Sequence, residues 1–172
     1  MARFFGDLRK RLEKFKQLNA DNLAYKLANT SKFQELVVEL NTKEQLFNKG
    51  EDSTGRRLSD IGGKYSPVTM EIAKFKGTPK KSASDINLHD TGDFYDSFRV
   101  TPYIGGFEID AEPIKDDTNL FKEWGENIVG LNEENKEIIN NEYKNYFQEE
   151  IAKIWLLYFN QRIIYWGVVW RS

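Results

Sequence analysis

The sequence predicts an α+β fold with N-terminal helices, a small antiparallel sheet built on a hairpin at about 96–112, and a long C-terminal helix followed by an apolar tail. Three observations predict it. Apolar residues recur at spacings of three and four in the first third of the chain and again from Ile139 to Tyr158, the period of amphipathic helices. Around Gly105-Gly106 the period changes to two, as in a half-buried strand pair. The chain has 172 residues, 40% of them apolar, enough for one domain with its own core and too apolar for a disordered chain.

Phe4, Leu8, Leu12 and Phe15 share one helix face, with Arg9, Lys10, Arg11, Lys14 and Lys16 on the others. This basic amphipathic helix is either a solvated face or a contact for nucleic acid or a membrane surface. It lacks the apolar run and cleavage site of a signal peptide. After Asn19-Ala-Asp-Asn22, Asp21 can cap a helix through Leu23 and Leu27. Ser31 and Gln34 offer a capping box for a core-facing helix carrying Phe33, Leu36, Val37 and Leu40. That helix continues or restarts at Thr42, includes Leu46 and Phe47, and stops at Gly50, where a left-handed cap costs glycine little. Residues 50–65 read as a long polar loop. Asp52-x-Thr54-Gly55 resembles the start of a calcium loop, but the other oxygen ligands and the closing glutamate are missing.

Ser66 at the N-cap and Pro67 at the first helical position open a helix with Val68, Ile72 and Phe75 on its apolar face, ended by Gly77 and Pro79. Ile86 and Leu88 alternate with polar neighbours as a short strand or extended lead-in. Phe98, Val100, Phe107, Ile109 and Ala111 then alternate with Arg99, Thr101, Glu108 and Asp110, and Pro102 marks an edge strand or a bulge. Leu120, Phe121 and Trp124 suggest a short helix ending at Gly125, and Asn132 caps the long helix of Ile139, Tyr143, Tyr146, Phe147, Ile151, Ile154, Trp155 and Tyr158.

Residues 1–155 therefore read as one domain and 156–172 as an apolar tail able to serve as an interaction arm. Lys153 and Asn160-Gln161-Arg162 interrupt the apolar run where a bilayer tolerates polarity least, so a membrane anchor is not expected. The terminal Ile163, Ile164, Tyr165, Trp166, Val168, Val169 and Trp170 have strand propensity and demand burial, either on their own domain or as an arm on a neighbour.

The chain has no cysteine, which excludes disulfides, zinc ribbons and thiol nucleophiles. Its single histidine, His89, cannot make a multi-histidine metal site alone. No phosphate-binding glycine loop is present, and no cofactor is expected. The net charge of −2 hides an uneven distribution: residues 1–81 hold 17 Lys and Arg against 10 Asp and Glu, and residues 82–172 hold 8 against 17. Attraction within one fold, head-to-tail packing of subunits, and a charged ring lumen all accommodate opposite halves. The acidic second half makes a dedicated DNA-reading domain improbable.

Asp90-Thr91-Gly92 invites comparison with the loop that pairs two carboxylates in dimeric aspartic proteases. Its polar neighbour His89 and charged neighbours Asp93 and Asp96 argue against that chemistry, since such a loop is normally apolar and shielded. The same residues serve as a helix start, with Asp90 or Thr91 as cap, Gly92 allowing close packing, and Phe94, Tyr95 and Phe98 pointing inward or sideways.

Three stretches in order carry a family likeness: Leu40 to Gly55, then Tyr65-Ser-Pro-Val-Thr69 with Lys74 and Gly77, then Leu88-His-Asp-Thr-Gly-Asp-Phe-Tyr-Asp-Ser-Phe98. With Phe121-Lys-Glu-Trp124-Gly125 and Ile128-x-Gly-Leu131 as a later element, they resemble the virion-morphogenesis, or tail-completion and neck, proteins of tailed bacteriophages. The spelling is nearest to Bacteroidetes phages including the crAss-like group. The likeness covers about 33–155; Phe94 stands where a leucine is usual, and the tail after Trp155 has no counterpart.

The resemblance implies a non-enzymatic, ring-forming subunit that joins the portal or adaptor to the tail or another neck ring. It also implies assembly in the host cytoplasm and residence in the virion, with incidental contact to packaged DNA. Leu88, Asp90, Thr91, Gly92, Phe94, Ser97, Phe98, Trp124 and Gly125 would be its packing motif. Candidate contacts are Arg56, Arg57, Asp93, Asp96, Gly105, Gly106 and the apolar tail residues named above. The readings set against it are a nucleic-acid-binding assembly factor and a dimeric Asp-Thr-Gly protease.

Overall fold

A computed structural model of the chain describes residues 19–77, 82–115 and 118–169 together with Arg9 and Glu13; beyond Ile154 it describes the backbone and the side chain of Leu156. The basic face expected at Phe4 to Phe15 lies outside the described residues, save that Arg9 and Glu13 are helical and exposed.

The described chain begins with α1 (Ala20–Ala28) and α2 (Ser31–Glu39). Each is capped earlier than the sequence suggests, α1 by two residues and α2 by one. Asn19, not Asp21, caps α1, and Asp21 sits in its first turn. Thr30, not Ser31, caps α2 by accepting from the Phe33 amide at 3.3 Å. A capping side chain must precede the first helical amide, and both replacements satisfy that.

Without a break, α2 becomes a π-helix over Leu40–Lys49, closed by Gly50 in the left-handed conformation at φ 64°. The wider i→i+5 turn sets its burial pattern, because residues four and five apart then lie above one another. Leu40, Asn41, Thr42, Gln45 and Leu46 are buried, while Phe47, expected inside, is exposed.

This π-helix is held to the distant segment 128–135 by carboxamides. Asn41 donates to the Ile128 carbonyl at 3.2 Å and accepts from the Gly130 amide at 2.7 Å. Gln45 donates to the Gly130 carbonyl at 2.9 Å and accepts from the Asn132 amide at 2.7 Å. Asn135 donates to the Leu40 carbonyl at 2.9 Å. Buried amides are tolerable only when paired this fully.

The segment expected to be a long loop is ordered. Glu51 bridges Arg57, α3 spans Leu58–Ile61, and the wholly buried Asp52 lies at the centre. Next, α4 (Pro67–Phe75) starts as the sequence implies, with the Ser66 hydroxyl accepting from Thr69 N at 3.0 Å and Pro67 in the first turn. Its orientation is a correction: Ala73 faces the core, while Val68, Ile72 and Phe75 face outward. Ile86 and Leu88 are buried in an extended lead-in that pairs with no strand among the described residues.

After α5 (Asp93–Asp96), β1 (Arg99–Tyr103) pairs antiparallel with β2 (Gly106–Asp110) in the register Val100 opposite Ile109 and Pro102 opposite Phe107. The tight turn is Ile104-Gly105, and Gly106 belongs to β2. Pro102 is tolerated because each strand of a two-stranded sheet is an edge. A second hairpin that periodicity does not reveal joins β3 (Ile114–Lys115) to β4 (Thr118–Asn119). It leads into α6 (Leu120–Trp124), which ends at Gly125, and a 3-10 turn follows over Glu126–Ile128.

The last helix, α7, runs over Glu133–Val169, with the Asn135 amide bonded to the Asn132 side chain as its N-cap. The strand propensity of Ile163 to Val169 is overridden, since the backbone there continues the helix. Trp170 and the side chains expected to form an arm, Ile163, Ile164, Tyr165, Trp166, Val168 and Val169, lie outside the described residues.

Two clusters form the core. One gathers Leu46, Leu58, Ile86, Leu88, Phe94, Phe98, Ala111, Leu120 and Ile128, and the other Ala28, Phe33, Val37, Leu40, Leu131 and Ile139. Ile109 packs on both. Phe33 ties the second together, with its ring centroid 5.4 Å from Phe107 and 5.2 Å from Tyr143.

Gln45→Ala strands a carbonyl and an amide in the seam, and each such group costs about 1–3 kcal/mol. We expect a loss of roughly 2–4 kcal/mol in urea unfolding, against almost none for Asn48→Ala on the exposed side of the same helix. Equal losses would show that the seam is not where stability is held.

Candidate functional site

Two concave surfaces flank the segment Leu88–Phe98. The segment is shaped by a polar hub at Asn87. The Asn87 amide donates to the Tyr65 hydroxyl at 3.3 Å, its side-chain oxygen accepts from the His89 amide at 3.2 Å, and its carbonyl accepts from the Tyr95 hydroxyl. Burial pushes the Tyr95 phenol up, with Tyr65 adding to it, so it stays a donor. The hub holds Leu88 at φ 54°, a left-handed conformation that costs a non-glycine residue about 1–2 kcal/mol. The turn buries the Leu88 side chain and brings His89 out between Phe47 and Tyr95, at ring distances of 5.5 and 5.1 Å.

Of the residues expected in the packing motif, Leu88, Phe94 and Phe98 are buried. Phe94 and Phe98 are buried edge to face at 5.1 Å. Ser97 donates to the Phe94 carbonyl at 2.6 Å and accepts from the Glu112 amide at 3.0 Å, joining α5 to the segment that follows β2. Trp124 lies against Gly62, where a Cβ would come within 2.3 Å of the indole nitrogen. Gly125 takes a positive φ of 81° at the end of α6. Neither Asp90 nor Thr91 caps α5; Gly92, at φ 101°, occupies the cap position with no side-chain bond.

Asp90 and Thr91 instead meet two lysines. The Asp90 carboxylate lies 3.2 Å from Lys76 and 3.3 Å from Lys115, and Lys115 also donates to the Thr91 hydroxyl at 3.0 Å. Thr91 donates to Asp93. Partial burial disfavours the Asp90 charge, but the hydrogen bonds and charges of Lys76 and Lys115 prevail and hold its carboxyl below the ordinary value. A carboxylate kept ionised by two ammonium groups is poorly suited to share a proton with another carboxylate.

The larger concavity, about 970 Å³, lies between α2 and the π-helix on one side and the α5–β1 junction on the other. Val38, Phe47, His89, Tyr95 and Phe98 give it an apolar and aromatic lining. Its rim carries Glu35, Glu39, Glu44 and Asp96 against Lys43 and Arg99. Lys43 is engaged by Glu39 at 2.7 Å, and Arg99 donates to the Asp96 and Phe98 carbonyls at 2.7 Å each. The groove is therefore acidic as well as aromatic, suited to an apolar side chain flanked by cations. A smaller hollow of about 460 Å³ between α4 and α6 is lined by Tyr65, Ile72, Lys76, Asp90, Lys115 and Trp124. Among the described residues no group of His, Cys, Asp or Glu is placed to hold a metal ion.

The other expected contacts scatter. Arg56 reaches the buried Asp52 at 3.2 Å while its side chain stays mostly exposed, and Arg57 is exposed in the bridge to Glu51. Asp93 and Asp96 are exposed, and Gly105 and Gly106 sit at a hairpin tip that also exposes Tyr103 and Ile104. Sequence reasoning missed the groove, because its lining comes from segments about fifty residues apart and Phe47 reads as a core residue. Among the described residues no helix is long and apolar enough to cross a membrane. Comparison with known proteins gives no match to any family model, characterised protein or solved structure.

The loop below the site rests on Asp52. Its carboxylate accepts from the Thr54 amide at 2.8 Å, the Thr54 hydroxyl at 2.5 Å, the Arg56 amide at 3.0 Å and the Arg56 guanidinium at 3.2 Å. Burial opposes ionisation, but these donors outweigh it and lower the carboxyl from its ordinary 3.8. The protein donors also occupy the oxygens that a calcium ion would need. Because the folded value is depressed, the stabilisation is fully present above pH 3.8 and is lost as pH falls through the folded value. We expect Asp52→Asn to lose about 1–3 kcal/mol at neutral pH and to flatten the acid limb of a stability-versus-pH curve. An unchanged acid limb would mean that other carboxylates carry the acid sensitivity.

Proposed function

We propose that this protein is a structural subunit of a tailed-bacteriophage virion, a ring-forming neck or tail-completion component that joins the portal or adaptor to the tail. The observation that carries the reading is how its signature residues are used. Leu88, Phe94, Phe98 and Ser97 build a junction between the helices, the hairpin and the π-helix, and the polar residues Asp90 and Thr91 form ion pairs and hydrogen bonds at its edge. A segment with the spelling of the morphogenesis family is spent on packing, and this supports an assembly function without catalysis or cofactor.

In this reading the subunit acts by shape. It presents different faces to its ring neighbours and to the layers above and below, in the infected cell's cytoplasm during assembly and then in the virion. The opposite charges of the two halves suit such stacking. The protease alternative is disfavoured by the doubly paired Asp90. The nucleic-acid alternative rests on the basic residues 9–16 and predicts affinity that falls steeply with salt.

Mass spectrometry and cryo-electron microscopy of particles made by the genome that encodes the chain test the reading directly. The expected result is a stoichiometric ring at the head–tail joint. Absence from the particles, combined with tight salt-sensitive DNA binding by the purified protein, would overturn it. Asp90→Asn removes only partly exposed ion pairs, so the variant should lose under ~1 kcal/mol and still enter particles. A protease would be inactivated by the same change.

A further inference from the structure

α4 is amphipathic in the wrong direction for a helix of an isolated domain. Ala73 anchors it to the fold, while Val68, Ile72 and Phe75 stand outward at positions i, i+4 and i+7. Phe75 is 96% exposed. Three apolar side chains at that spacing form a continuous stripe, the pattern by which one helix docks in the groove of another protein. Lys64 and Lys74 lie near the stripe in sequence with Glu71 between them, and Lys76 is paired with Asp90.

We propose that the stripe on α4 of one copy of this chain docks in the acidic, aromatic groove between α2, the π-helix and the α5–β1 junction of a second copy. The two surfaces match in chemistry. The stripe offers apolar side chains among lysines, and the groove offers Val38, Phe47, Tyr95 and Phe98 under a rim where four carboxylates outnumber two cations. They match in size as well. The nine residues of α4 span roughly 14 Å at about 1.5 Å each, and a groove of about 970 Å³ is large enough for three such side chains.

Because the stripe and the groove are different surfaces, the contact is heterologous. Each copy that offers its stripe keeps an open groove, so the contact repeats until a ring closes. Closure into a ring rests on the neck reading above; the pairwise contact does not.

The absence of cysteine allows a direct test with full-length protein. Phe75→Cys is made in one tagged chain and Phe47→Cys in an untagged one, and the mixture is treated with a short bismaleimide. Circular dichroism checks that both variants fold. The expected product is the tagged–untagged heterodimer, in at least tenfold excess over a control that pairs Phe47→Cys with Glu108→Cys on the hairpin. Wild-type competitor should suppress that product, whereas a competitor carrying both Phe75→Asp and Phe47→Asp, which disables stripe and groove together, should not. Phe75→Cys homodimers as the main product would mean that stripes pair with each other and would overturn the proposal, as would a heterodimer yield no higher than the control. A particle that contains the ring but lacks this cross-link would sink the contact alone, whereas particles without the protein would sink the neck reading and leave the contact standing.

Discussion

The architecture depends on the seam in which Asn41, Gln45 and Asn135 bind the backbone of residues 128–132 and the start of the π-helix. Apolar burial brings these parts together, but being non-directional it sets their register less sharply than paired polar groups do. Carboxamides are directional. Each has one donor and one acceptor end, and a slip of one residue would leave several buried groups unpaired at about 1–3 kcal/mol apiece. The seam also explains why a π-helix is kept here. Its i→i+5 turn stacks Asn41 and Gln45 on the face that meets the 128–132 segment, while Leu46 reaches one core cluster and Leu40 the other.

The same device, a buried polar group that reads backbone, recurs at the two loops that matter most. Asp52 folds residues 52–56 around its carboxylate, and Ser53 then donates to the Asn127 carbonyl at 2.8 Å, tying this loop to the segment held by the seam. Asn87, with Tyr65 and Tyr95, sets the left-handed turn at Leu88. Neither loop has a regular ladder to hold it, so the conformational entropy lost on ordering them must be offset locally, and charge-assisted or fully paired hydrogen bonds do this where apolar contacts are sparse.

What was legible in the sequence follows from this division. The α+β class, the Ser66-Pro67 helix start, the Gly50 and Gly125 stops, the Asn132 cap and the hairpin at 99–110 all rest on local rules or on periodicity, and they appear where those rules place them. The π-helix was not legible, because α and π hydrogen bonding draw on the same residues and differ only in what the other side of the helix needs. The order in residues 50–65 was hidden because a single buried carboxylate, and no pattern, creates it. The apolar stripe of α4 was visible as a stripe, but periodicity cannot say whether protein or solvent faces it. Strand propensity at Ile163 to Val169 misled because a helix already under way adds each further turn more cheaply than a new strand can be started without a partner edge.

These polar anchors also bear on the proposed contact between copies. A repeating contact closes into a ring only if the angle between its two surfaces is fixed, since an error in one subunit is multiplied at every step around the circle. In this chain the stripe of α4 reaches the groove through Tyr65, at the start of the α4 segment, and through Asn87 and Tyr95, at the groove wall. The Tyr65 amide is further tied to the Ala83 carbonyl at 2.8 Å. The strained turn at Leu88 lies on this path, between Asn87 and the groove residue His89. A backbone held there in a left-handed conformation against a cost of about 1–2 kcal/mol is one whose position the surrounding bonds over-determine. The segment thus acts as a bracket: its apolar residues lock it into the core, its strained turn fixes a direction, and the surfaces proposed to meet a second copy lie on either side.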